Sequence, residues 1–142
     1  MMKNINLLLC ALLFISIASA QSKDEIEIRN ILHRQSIAWS DGDIEKFMQP
    51  YWHNDSLMFI GKTGITYGWQ KTLANYKRNY PDAAAMGKLD FTILQTKKLS
   101  VLYYFVVGKW HLKRTAGDLN GYFTLLFKKI KNTWMIVSDH SS

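Results

Sequence analysis

From Lys88 onward the chain changes texture, and that change restricts the possible folds more than any other feature. Four extended runs follow one another: Lys88 to Thr96, Ser100 to Lys113, Gly121 to Lys129 and Thr133 to Asp139. They are separated by Lys-Lys-Leu, Ala116-Gly117-Asp118 and Lys131-Asn132. Runs rich in β-branched and aromatic residues, divided by short turn-forming stretches, predict antiparallel strands joined as hairpins. In the longest run Val101, Tyr103, Phe105 and Val107 share one face, and Leu102, Tyr104, Val106 and Trp110 share the other. An antiparallel sheet normally turns one face to water. Two apolar faces need two covers. Helices supply one, and a second copy of the chain or a ligand cavity supplies the other.

The segment before Gly87 reads as helical. From Asp24 to Trp39, apolar residues recur at Ile28, Ile31, Leu32 and Trp39, the spacing of one helix face, and Asp24, Glu25 and Glu27 suit the positive end of a helix dipole. Gly42 ends that helix, and Asp43 caps a second from Ile44 to Gln49, which Pro50 stops. Leu57 to Gly61 reads as a short strand. Gly68 to Tyr80 reads as a third helix with Trp69, Leu73 and Tyr76 on one side and Pro81 closing it. Helices followed by a run of strands predict an α+β domain over residues 21–142.

Residues 1–20 read as a secretory signal peptide. Lys3 precedes an apolar run from Ile5 to Ile17, and Ala18-Ser19-Ala20 has the small-x-small pattern of a cleavage site, so cleavage is expected after Ala20. The run is shorter than the roughly 20 residues that span a bilayer, so no stable membrane anchor is expected. The protein is then exported to a periplasmic or extracellular location. The chain's single cysteine, Cys10, falls inside this segment, so the mature protein has no thiol for a disulfide, a nucleophile or a metal.

The whole chain carries a formal charge of +7. Its lysines crowd at strand ends and turns, at Lys97-Lys98, Lys113-Arg114 and Lys128-Lys129-Lys131, where they guard sheet edges. Export argues against nucleic acid as a partner. His33, His53 and His111 form no metal-ligand spacing, and there is no Gly-x-Ser-x-Gly, phosphate loop or dinucleotide fingerprint. Neither a metal nor a cofactor is expected.

What remains is a possible pocket. Aromatic residues make up 13% of the chain, and Tyr and Trp combine an apolar body with a polar handle suited to holding a small molecule. Gln35 lies on the buried stripe of the first helix, where its amide must bond to backbone or face a pocket. Candidate lining residues are Gln35, Trp39, Tyr51, Phe59, Trp69, Tyr76 and Trp110. The C-terminal run ends in Asp139 and His140, each a candidate general base. Alternation puts them on opposite faces: Asp139 with Met135 and Val137, His140 with Trp134 and Ile136.

These residues carry a family resemblance. Ile37-Ala38-Trp39-Ser40-Asp41-Gly42-Asp43, Tyr67-Gly68-Trp69, Tyr80-Pro81, Met86-Gly87-Lys88-Leu89, Gly108-Lys109-Trp110, Gly121-Tyr122-Phe123 and the closing Asp139-His140-Ser141-Ser142 resemble the nuclear transport factor 2-like superfamily. Within it, the SnoaL-like branch called domain of unknown function 4440 is most similar. The resemblance implies a cystatin-like cone: three N-terminal helices on a strongly curved antiparallel sheet, usually dimeric, with a pocket at the open end. It implies ketosteroid isomerases, polyketide cyclases and dehydratases among the relatives, together with catalytically silent binding or assembly modules. By the same resemblance, the isomerases' oxyanion-binding Tyr corresponds to Gln35 and their general-base Asp falls near Ile60, so the base is missing.

Three functions are therefore expected in order. The first is an exported protein that binds a small apolar or amphipathic molecule and forms a homodimer through its sheet face. The second is a cofactor-free isomerase, cyclase or dehydratase using Asp139 or His140 with Gln35. The third is a protein-interaction module.

Overall fold

The computed structural model describes residues 21–142, so the expected signal peptide lies outside the described residues. Four helices, α1 (Lys23–Ser40), α2 (Ile44–Met48), α3 (Trp69–Asn79) and α4 (Ala83–Met86), accompany six strands. The strands are β1 (Met58–Gly61), β2 (Gly64–Tyr67), β3 (Lys88–Lys98), β4 (Tyr103–Lys113), β5 (Leu119–Ile130) and β6 (Thr133–Ser141). They form one sheet in the order β2-β1-β6-β5-β4-β3, antiparallel except where β1 runs parallel to β6. The α+β expectation holds.

Two elements are additional to the sequence reading. Gly61-Lys62-Thr63-Gly64 turns β1 back into β2, with Gly64 at φ 108°. The short α4 is capped by Asp82, whose carboxylate accepts from the Ala85 N–H. The expected strand start at Ser100 moves to Tyr103, because residues 99–102 form the turn and leave Val101 72% exposed.

Helix α1 is fixed at both ends. Ser22 caps it and also hydrogen-bonds the Tyr104 hydroxyl at 2.8 Å. Asp24 accepts from Lys129 Nζ at 2.8 Å and Trp134 Nε1 at 3.0 Å, which ties its first turn to β5 and β6. At the far end the Trp39 indole N–H donates to the Met86 carbonyl. Ile28, Ile31, Leu32, Ala38 and Trp39 thereby face the inner side of the sheet, where Tyr104, Val106, Leu112, Phe123, Leu125, Phe127, Trp134 and Ile136 complete the core.

β6 holds the irregularity that matters most for the site. Phe127 pairs with Ile136 and Leu126 pairs with Ser138, which leaves Val137 as an extra residue. One extra residue in a strand inverts every side chain beyond it. Asp139 therefore joins Trp134 and Ile136 on the inner face, and His140 turns outward, the reverse of simple alternation.

Candidate functional site

Helices and sheet do not close completely upon each other. Between them lies a cavity of about 560 Å³, walled by Leu32, Gln35 and Trp39 of α1, Phe47 of α2, Tyr76 of α3 and, from the sheet, Phe59, Phe91, Trp110, Phe123 and Asp139. The exposed Lys62, Asn79, Asn120 and Ser142 mark its mouth. The sheet-side wall depends on a missing side chain: a Cβ on Gly108 would stand 2.3 Å from the Phe123 ring, so glycine there lets that ring lie across β4 and meet Phe91 at 5.2 Å.

One end of the cavity is a cluster of rings. Trp39 meets Phe47, Tyr76 and Tyr80 edge-on at 5.0, 5.6 and 4.8 Å, and Tyr76 meets Phe59 at 5.7 Å. Edge-to-face pairs at these separations favour one another beyond their buried area and hold the wall in shape.

Asp139 stands beside this cluster, 3% exposed. Its position follows from the backbone. The segment before β1 runs along β6, with the Trp52 N–H donating to the Ile136 carbonyl and the Ile136 N–H to the Pro50 carbonyl. This pins Tyr51 beside Ile136, and its phenol donates to Asp139 Oδ2 at 2.6 Å. The Ser141 hydroxyl donates to Oδ1 at 2.9 Å. Burial pushes the Asp139 carboxyl up to about 6, against the smaller downward pull of these two donors and of His140. Burial also raises Tyr51 and Tyr76 well above ordinary phenols, and the nearby Asp139 carboxylate adds to both shifts. Both phenols are therefore neutral donors near neutral pH.

The structure sorts the expected site residues. Gln35, Trp39, Tyr51, Phe59, Tyr76, Trp110 and Asp139 all reach the cavity. Trp69 does not: it stacks on His53 at 4.1 Å and donates to the Met48 carbonyl. His140 does not either, being exposed on the opposite side of the sheet and paired with Ile60 across the β1 edge. The residues of β1 that line the cavity are Phe59 and Gly61, so this strand offers no carboxylate. The Gln35 amide is 2% exposed and donates to the Phe47 carbonyl at 2.9 Å, which commits one of its two protons to backbone. Sequence reading missed Tyr80, Phe91, Phe123 and Ser141 as lining residues. Alternation with Trp110 across the β3–β4 and β4–β5 hairpins was a signal for the two phenylalanines.

The same architecture occurs in solved structures. A protein of unknown function from Shewanella oneidensis, described as NTF-2 like, is 46% identical over 82% of this chain and 97% of its own, with a TM-score of 0.79. The chain belongs to the NTF2-like family. More distant structures share the fold alone. A cystatin-like domain of unknown function from Nostoc punctiforme is 16% identical over 86% of this chain and 78% of its own, with a TM-score of 0.71. A ketosteroid isomerase-like protein from Erwinia carotovora is 15% identical over 86% of this NTF2-like chain and 97% of its own, with a TM-score of 0.66. No family model and no curated protein matches the chain. The superfamily expectation is thus met, while these likenesses stop short of the branch resembling domain of unknown function 4440.

Proposed function

We propose that this NTF2-like protein binds a small, mostly apolar or amphipathic molecule between its helices and its sheet, without strong catalysis. One observation carries the reading: a 560 Å³ cavity with largely aromatic walls and its buried charge-bearing group confined to Asp139. Ligand sites of this kind combine an apolar wall with a few placed polar groups, and this volume lies in their usual range. Acid–base catalysis works best with a partner for the base, positioned to supply or receive the second proton. Here His140 faces away, and Tyr51 is engaged with Asp139 itself.

The test is native mass spectrometry of protein purified under mild conditions, followed by a thermal-shift screen of apolar and amphipathic compounds. A co-purifying molecule, or a shift abolished by filling the cavity with Leu125→Trp, supports the pocket. No bound species and no shift across the screen overturns it.

A second reading is favoured by the raised Asp139 carboxyl. A carboxyl near 6 is close to the pKa an efficient general base needs at neutral pH. A cofactor-free isomerase, cyclase or dehydratase would use Asp139 as base and the neutral Tyr76 phenol to steady developing negative charge. Asp139→Asn should then abolish turnover of a found substrate, and His140→Ala should not.

The proposal includes export after Ala20 and a homodimer formed through the outer sheet face. Tyr103, Phe105, Val107 and Leu126 are only half-buried there, and a matching face on a second copy would cover them. Sedimentation velocity of the wild type and of Phe105→Lys tests the dimer.

A further inference from the structure

The geometry points to a ligand that carries a protonated amine on an apolar body, with the amine seated at Asp139. This rests on the pocket reading above.

Buried carboxylates are ordinarily paired with a cation or a metal. Asp139 accepts only from two neutral hydroxyls, those of Tyr51 and Ser141. Its cross-strand neighbours are Phe59 on β1 and Leu125 on β5, so neither flanking strand brings a positive charge. From α3, the neutral Tyr76 phenol lines the cavity on the same side as Tyr51 and Asp139. Lys62 stands exposed at the mouth, and His140 lies on the other side of the sheet. Among the described residues no ion pair reaches this carboxylate.

Each carboxylate oxygen can accept two hydrogen bonds and here takes one from protein. The spare acceptor capacity belongs to a side chain that lines the cavity, beside the rings of Phe59, Tyr51 and Tyr76. Aromatic faces attract cations, and phenol oxygens accept from them. An ammonium group satisfies this set with three donors and neutralises the buried charge. An alcohol brings one donor and no charge, and an acid brings repulsion.

The test uses three probes that share one ring system: tryptamine, its alcohol tryptophol, and indoleacetate. Calorimetry at neutral pH should show tryptamine binding about tenfold or more tighter than tryptophol, the ratio expected of one hydrogen bond to a charged group. Indoleacetate should be the weakest. Asp139→Asn should erase the preference for the amine while leaving tryptophol affinity within about twofold, because Asn can still accept from Tyr51. Should that variant not fold, the same comparison on wild type at about pH 5 replaces it, since protonating Asp139 removes its charge while the Tyr51 and Tyr76 phenols stay neutral. Tryptophol binding as tightly as tryptamine would overturn the amine inference and leave the pocket standing. Failure of all three probes to bind would overturn both.

Discussion

The two faces of the sheet read almost alike in sequence and behave differently in the fold. Along β4, Tyr104, Val106 and Leu112 on the inner face are buried, while Tyr103, Phe105 and Val107 on the outer face are half-buried. α1 accounts for the difference, because its cap contacts and its ties to Trp134, Lys129 and Met86 lock it over one side only. Adjacent Asp139 and His140 show the same contrast at the level of single residues. One is sealed among rings with a raised carboxyl, and the other is exposed. An alternating apolar pattern defines two faces, but the covering element decides which becomes interior.

The largest effect should come from the inner face. Phe127→Ala, at a side chain with no exposure, should lower unfolding free energy in denaturant by about 3–5 kcal/mol. Phe105→Ala on the outer face should cost about 1 kcal/mol or less at dilution that keeps the chain monomeric. Equal losses would mean that the outer face is as thoroughly closed as the inner one.

Next in size is Asp139→Asn. The carboxyl titrates near 3.8 when unfolded and at about 6 when folded, so between those values the native state binds more protons. Stability from this group therefore falls as pH rises through that window, by about 3 kcal/mol in all. Asp139→Asn should be more stable than wild type at pH 7 by up to that amount, with the gain gone near pH 4. Thermal melts across this range check the sign, and a variant less stable at every pH would break the contrast with the outer face.

Tyr51→Phe should cost about 1.5–3 kcal/mol, since it removes a hydrogen bond to a charged group. It should also move the Asp139 midpoint above 6 in a carboxyl-carbon NMR titration, because the Tyr51 bond holds that carboxyl down. Smallest of all, His140→Ala should change stability by less than about 0.5 kcal/mol and leave ligand binding unaltered.

Much of the architecture was legible in the residues. The stripe Ile28-Ile31-Leu32-Trp39 defined α1, Gly42 and Asp43 marked the break before α2, and both faces of β4 were assigned correctly from Tyr103 to Trp110. Six of the seven expected pocket residues reach the cavity. Trp69 misled because a helix-face pattern shows that a side is buried without showing against what; it packs over Met48 and His53 instead.

By itself, then, the sequence determined the order of helices and strands, the capping breaks and the apolar faces, because these follow from short-range periodicity and backbone preference. Tertiary structure alone decided three things. Asp139 rather than His140 faces the cavity, the Tyr51 phenol meets it across 88 residues of chain, and the cavity lies under the helices rather than on the outer face. The physical reason is register. One extra residue at Val137 inverts the parity of everything after it, and a bulge is fixed by the pairing of β6 with β5 rather than by the local composition of either strand.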